Sequence, residues 1–146
     1  MNSSQTSLRL VLDTNVVLDL LHFNDPSVSP ILHALEADIA HCYASTATLD
    51  ELRRVLTYSE FQIDVATQSA FLARYQMWFR VAESGTVSAR KMPCCSDPDD
   101  QMFLELAASI RADFLISKDK ALLALKEQAG LGFEILTPNE AASLWL

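Results

Sequence analysis

Residues 8–15, LRLVLDTN, are the stretch that most narrows the choice of folds. Its first five residues form a run rich in branched apolar side chains, which is typical of a buried parallel strand, although periodicity alone does not separate such a strand from a helix segment. An aspartate, Asp13, follows directly, and Thr14 and Asn15 are also suited to beginning a helix. The stretch therefore predicts a strand, a polar turn and a helix.

The same order of elements recurs along the chain. Strands are predicted at residues 8–12, 39–44, 114–117 and 133–136, with a short edge strand at 86–89. Helices are predicted at residues 16–21, 31–37 (capped by Ser29), 48–56, 60–82 as one or two helices, 101–110, 121–128, and from Pro138 onward. Strands that alternate with helices indicate an α/β sandwich with a mainly parallel central sheet.

The composition favours one globular domain over residues 1–146, with the first seven residues flexible. Half of the residues are hydrophobic and only three are glycine, which argues against disorder. The sequence shows neither a membrane-spanning apolar run nor a leader-like start, so we expect a cytoplasmic protein. Three cysteines without a CxxC spacing indicate neither a zinc site nor a disulfide framework. We interpret Cys42 as a core residue, and Cys94 and Cys95 have no assigned role.

The charge balance leaves two interpretations open. Eleven basic residues against 19 acidic ones give a net charge of −8, which is the wrong sign for a protein that binds nucleic acid through a broad basic face. One interpretation is a solvated acidic surface. The other is a pocket in which several carboxylates are neutralised by divalent cations.

The positions of four acids favour such a pocket. Ligands bind outside the carboxyl ends of parallel strands, where Asp13, Glu51 and Asp119 are expected and where Asp100 can join them. Mg²⁺ prefers hard oxygen ligands, and two such ions can activate an attacking water and stabilise the leaving oxygen of a phosphodiester. The same residues have structural alternatives, because Asp13 and Asp119 can cap helices and Glu51 can favour a helix dipole.

The acidic segment at residues 96–100, SDPDD, offers three candidate ligands. Asp97 precedes a proline and is a good helix N-cap, and Asp99 is a partner for the helix dipole. Asp100 lies three residues before Phe103, on the side of the predicted helix that faces the core. We therefore expect Asp100 to be the ligand, with Asp97 as the second choice.

Four segments together resemble one family. They are VLDTNVV at 11–17, STATLDELRRVL at 45–56, DPDDQMFLELAASIRADFLISKD at 97–119 and ILTPNEA at 135–141. In this order and spacing the sequence resembles the PIN-domain (PilT N-terminus) family, and more narrowly the bacterial group of toxin components from toxin–antitoxin modules. The middle helices lie outside the resemblance.

The resemblance implies a three-layer α/β/α fold and a Mg²⁺- or Mn²⁺-dependent ribonuclease. It assigns catalysis and metal binding to Asp13, Glu51, Asp100 and Asp119, leaves Asp97 as an alternative ligand, and gives Asn15 and Ser117 supporting positions. It also implies an RNA substrate, a cognate antitoxin as partner and no membrane, with a homodimer left open. Arg53, Arg54, Lys118 and Lys120, and further along Arg90 and Lys91, are the cations available for phosphate contacts.

Two other functions are weighed against this one. A phosphatase of the haloacid dehalogenase type also begins with a strand that ends in aspartate, but it needs a second aspartate two residues later, where this chain has Asn15. A non-catalytic PIN-like module that binds RNA or a protein is the alternative from a different class.

Overall fold

The central layer of the fold is a parallel sheet. The computed structural model describes residues 7–82, 95, 97–128 and 130–145. The strands are β1 (Leu8–Leu12), β2 (Ala40–Ala44), β3 (Phe79–Val81), β4 (Phe114–Ile116) and β5 (Glu134–Leu136). They lie in the order β3-β2-β1-β4-β5, and each neighbouring pair is parallel. β1 lies in the middle of the sheet, which explains why its sequence is almost continuously apolar.

Helices cover both faces of this sheet. They are α1 (Thr14–Leu18), α2 (Ser29–Glu36), α3 (Thr46–Leu56), α4 (Val65–Gln76), α5 (Gln101–Ser109), α6 (Lys120–Leu123) and α7 (Pro138–Trp145). Successive side chains of a strand point to opposite faces, and in β1 Leu10 and Leu12 enter one core while Val11 enters the other. The predicted three-layer α/β/α sandwich is therefore confirmed.

The two cores are built by different helices. The larger core contains buried side chains from α1, α2, α3, α4 and α7, such as Ile31 and Leu52. The smaller core contains side chains from α5 and α6, including Phe103 and Leu122. Because α5 and α6 share one face, the acidic segment before α5 and the loop before α6 approach the same end of the sheet.

The helix predicted over residues 60–82 is wrong at both ends. α4 covers only Val65–Gln76, a short 3₁₀ turn occupies Ser59–Phe61, and Phe79–Val81 forms strand β3. Apolar side chains at helical spacing gave the prediction, but the backbone of β3 pairs with the free edge of β2. Such pairing between distant segments leaves no local periodicity in the sequence. The edge strand predicted at 86–89 lies outside the described residues.

Three helix boundaries also differ from their predictions. Ser29 is the first residue of α2 and not its cap, because a 3₁₀ turn at Pro26–Val28 runs directly into the helix. Lys120–Leu123 is much shorter than the predicted helix at 121–128. After α1 the chain forms a π-helical turn at Asp19–Phe23, which sequence periodicity did not predict.

Cys42 belongs to the core, as predicted. Its thiol donates a hydrogen bond to the backbone oxygen of Trp78 at 3.3 Å. Burial raises the pKa of this thiol to about 12, so it stays protonated at neutral pH. Cys95 is also buried, whereas Cys94 and residues 1–6 lie outside the described residues. Among the helices of the described chain, none is long and apolar enough to cross a membrane.

Candidate metal centre

The adjacent strands β1 and β4 bring Asp13 and Ser117 together. Leu12 pairs with Ile116 in the register of the two strands, so the next residue of each leaves the sheet at the same place. The backbone N–H of Asp13 donates to the oxygen of Ile116 at 3.1 Å, and the Ser117 hydroxyl donates to Oδ2 of Asp13. Asp13 therefore lies at the carboxyl edge of the sheet, as predicted.

Asp13 also caps α1. Its Oδ1 accepts a hydrogen bond from the backbone N–H of Val16 at 3.0 Å, and the residue is only 3% exposed. Burial raises the pKa of the Asp13 carboxyl, hydrogen bonds from Ser117 and Val16 oppose this, and the charge of Asp119 adds to the rise. The capping alternative and the site assignment are thus compatible, because each uses a different oxygen.

Ser117 links Asp13 to Asp119. Its Oγ, which donates to Asp13, accepts a hydrogen bond from the backbone N–H of Asp119 at 2.9 Å. Asp119 in turn caps α6, since its Oδ1 accepts from the N–H of Ala121 at 2.7 Å. The loop between β4 and α6 is therefore fixed at both of its ends by side-chain hydrogen bonds.

A 3₁₀ turn at Pro98–Asp100 carries the acidic segment to this loop. Asp97 caps the turn, as predicted, by accepting a hydrogen bond from the N–H of Asp99 at 3.0 Å. Asp100 ends the turn directly before α5, whose Phe103 is buried in the smaller core. This placement directs Asp100 inward, as its spacing to Phe103 predicts, and Oδ2 of Asp100 is buried. The role of Asp100 as a metal ligand stays a prediction.

Asp97, Asp100 and Asp119 form a group of three carboxylates. Each offers an oxygen, and these oxygens all lie within 4.8 Å of one another. Burial, followed by the charge of Asp119 and a side-chain hydrogen bond with Asp119, raises the pKa of Asp100 to about 7, with smaller effects from the charges of Asp97 and Asp13. Oδ2 of Asp100 is buried, and no hydrogen-bond donor within the described part of the chain reaches it.

This group fits a divalent cation. Carboxylate oxygens are the ligands that Mg²⁺ and Mn²⁺ prefer, and a cation both removes the repulsion among like charges and satisfies a buried oxygen that lacks a donor. Asp13 is not among the three carboxylates that approach within 4.8 Å, and it is linked to Asp119 through Ser117.

The structure does not bring Glu51 into this group. The start of α3 is fixed by Ser45 and Thr48, which exchange side-chain and backbone hydrogen bonds as a capping box. Glu51, one turn further, is ion-paired with Arg54, and its side chain is 12% exposed. Its carboxylate is not among the three that approach within 4.8 Å.

Asn15 is exposed in the first turn of α1.

Three of the predicted phosphate-binding cations have acidic partners within the chain. Arg53 contacts Asp50 at 3.0 Å, Arg54 contacts Glu51, and Lys118 contacts Asp19. Lys120 is exposed at the first position of α6. Arg90 and Lys91 lie outside the described residues.

Asp19 is the residue that sequence reasoning missed. It is 4% exposed and pairs with a lysine next to Asp119. The signal was an acid inside the apolar run VVLDLL of residues 16–21, because a buried carboxylate requires a partner.

Comparison with known proteins gives the family. The family model described as PIN domain matches residues 9–121 of the sequence. This chain belongs to the PIN-domain family. In this PIN domain the matched residues include all of the acids described above. No curated protein sequence matches it.

A solved structure supports the fold of this PIN domain. It is a chain of VapBC2 from Rickettsia felis, whose crystal structure contains a DNA fragment from the promoter. The TM-score is 0.61, and the alignment covers 89% of this chain and 98% of the other. With 12% sequence identity, the similarity demonstrates a shared fold.

Proposed function

We propose that this PIN domain is a Mg²⁺- or Mn²⁺-dependent endoribonuclease that hydrolyses RNA phosphodiester bonds. The group formed by Asp97, Asp100 and Asp119 is the observation that carries the proposal, above all because Oδ2 of Asp100 is buried without a donor in the described chain. A solvated acidic surface does not account for that oxygen, since exposed carboxylates are satisfied by water.

The proposed ligands are the acids at the carboxyl edge of the sheet. Asp13, Asp100 and Asp119 would hold the ion, with Asp97 as the alternative, and Glu51 would join them only on release from its ion pair with Arg54. When bound, a divalent cation lowers the pKa of water and stabilises charge on phosphate oxygens. The protein orients the carboxylates: the Ser117 hydroxyl holds Asp13, and the N–H of Ala121 holds Asp119.

RNA binding in this proposal depends on few cations. Arg53, Arg54 and Lys118 each have an acidic partner that competes with phosphate. This competition costs little for Arg53 and Arg54, because both side chains are more than half exposed. Lys120, exposed beside Asp119, is the most direct candidate for a phosphate contact. The net charge of −8 predicts weak, salt-sensitive RNA binding in the absence of metal.

We further propose that the nuclease acts in the cytosol as the toxin of a toxin–antitoxin module. The support is the shared fold with a chain of VapBC2. The proposed partner is a cognate antitoxin that blocks the carboxyl edge of the sheet. A small DNA-binding protein that is encoded next to this chain and suppresses its cleavage activity is the expected finding.

A cleavage assay tests the nuclease with a matched pair of variants. RNA is incubated with the purified protein and Mn²⁺, with an EDTA control. Asp100→Asn should abolish cleavage, whereas Asp99→Asn, which alters an exposed acid in the same turn, should retain it. Equal activity of the two variants would overturn the assignment, and so would cleavage that persists in EDTA.

The second candidate is a non-catalytic PIN-like module that binds RNA or a protein. The ion pair between Glu51 and Arg54 favours it, because one expected ligand is engaged by a cation within the chain. Calorimetry with Mn²⁺ separates the two candidates. Binding heat that is present in the unmodified protein and absent in Asp100→Asn supports the nuclease. The absence of binding heat in the unmodified protein supports the non-catalytic module.

A further inference from the structure

An ion pair between a buried acid and an exposed lysine connects the π-helical turn after α1 to the loop that carries Asp119. Oδ2 of Asp19 lies within ion-pair range of Nζ of Lys118, although the contact lacks the geometry of a hydrogen bond. The Asp19 side chain is 6% exposed and that of Lys118 is 41% exposed. Lys118 lies between Ser117 and Asp119 in sequence. The side chains of Ser117 and Asp119 already form hydrogen bonds within the site. The ion pair gives Lys118, the third residue of the β4–α6 loop, a partner in the π-helical turn.

Backbone hydrogen bonds hold the turn at the Asp19 end of this pair. The backbone oxygen of Asp19 accepts hydrogen bonds from Asn24 and, at 3.2 Å, from Asp25, and these bonds close the π-helical turn. Asn24 has a left-handed conformation with φ of 48°, which ends the helix there.

The Lys118 end leads directly to the candidate ligands. Ser117 and Asp119 flank the lysine, and both of their side chains have defined partners in the site. A displaced Lys118 would shift the backbone N–H of Asp119 away from Ser117 Oγ. That shift would separate Asp119 from Asp100.

We infer that Asp19 and Lys118 are positioning residues for the metal centre: their ion pair holds the β4–α6 loop so that Ser117 and Asp119 face Asp13 and Asp100. This inference rests on the proposed function, because it assumes that these acids bind a divalent cation. Because Lys118 is engaged by Asp19 in this inference, it is not available for phosphate contacts with RNA.

Positioning and simple electrostatics predict different results. If the two charges acted only through their field, Lys118→Met would strengthen Mn²⁺ binding and Asp19→Asn would weaken it. If the pair positions the loop, each neutralisation breaks the pair, and both weaken binding. Loss of a residue that orients metal ligands commonly reduces metal affinity about 10- to 100-fold. We expect a decrease of that size in both variants.

Calorimetry with Mn²⁺ alone is the test, on protein that circular dichroism shows to be folded in EDTA. Lys126→Met is the matched control, because it breaks the ion pair of Lys126 with Glu140 elsewhere in the fold and should leave Mn²⁺ affinity unchanged. The double variant Asp19→Asn/Lys118→Met should bind Mn²⁺ at least as tightly as the single variant that has the lower Mn²⁺ affinity. If Lys118→Met does not fold, Lys118→Arg replaces it, and positioning predicts weaker binding although the charge is kept.

The outcomes separate the inference from the function on which it rests. Effects of opposite sign in the two single variants, or affinities equal to that of the unmodified protein, overturn the positioning role while the nuclease stands. For Lys118→Arg, an unchanged affinity has the same meaning. An unmodified protein that binds no Mn²⁺ overturns the proposed function and this inference with it.

Discussion

The hydroxyl of Ser117 donates a hydrogen bond to the buried carboxylate of Asp13, although the two residues lie 104 positions apart in the sequence. The same oxygen of Ser117 accepts from the backbone of Asp119 at 2.9 Å. One side chain thus fixes two of the acids at the carboxyl edge of the sheet, and it is itself fully buried.

Replacing Ser117 with alanine should destabilise the protein by about 1–3 kcal/mol, because it leaves a buried carboxylate and a backbone N–H without their partner. Urea unfolding in EDTA measures this change. Ser109→Ala is the control, since Ser109 bonds only to a carbonyl of its own helix, and a change within about 0.5 kcal/mol is expected there. Similar losses in both variants would contradict the linking role of Ser117.

Two substitutions at Asp13 should differ in their effect on metal-free stability. Asn caps helices as well as Asp does and removes a charge that burial disfavours, so Asp13→Asn should be at least as stable as the unmodified protein. Asp13→Ala removes the cap and should lose about 0.5–2 kcal/mol. Thermal unfolding in EDTA checks both. A lower melting temperature for Asp13→Asn would mean that the charged carboxylate itself stabilises the fold.

Metal-free stability should depend on the protonation of Asp100. Its pKa is raised from 3.8 to about 7, so the folded state holds this proton more tightly than the unfolded chain does. The resulting stability is fully present below the unfolded pKa and is lost as the pH rises through about 7. Between about pH 5 and about pH 8, the melting temperature in EDTA should therefore fall more for the unmodified protein than for Asp100→Asn. Parallel curves for the two proteins would refute the shift.

Glu51→Gln should weaken Mn²⁺ binding less than Asp100→Asn does. Glu51 is held by Arg54 outside the group of three carboxylates, so an ion must first compete with that ion pair. Calorimetry with Mn²⁺ compares the two variants, and Asp50→Asn, which changes a neighbouring acid paired with Arg53, is the control. If Glu51→Gln is the more damaging change, then Glu51 moves into the site when metal binds.

Much of the fold could be predicted because its signals are local. The apolar run of β1, the caps formed by Asp13 and Asp97, and the helical face that begins at Phe103 are patterns of adjacent residues, and each appears in the structure. Strand β3 was missed because its pairing with β2 is a contact between distant segments. The same holds for the ion pair of Asp19 with Lys118.

The sequence by itself determined the alternation of strands and helices. From strand and helix ends it predicted Asp13, Glu51 and Asp119 at the carboxyl edge of the sheet, with Asp100 able to join them. Only the tertiary structure decided which side chains meet. A carboxylate can cap a helix, pair with a cation or join other carboxylates, and the choice depends on neighbours that folding brings from elsewhere in the chain. For this reason Asp97 lies with Asp100 and Asp119, whereas Glu51 is held by Arg54.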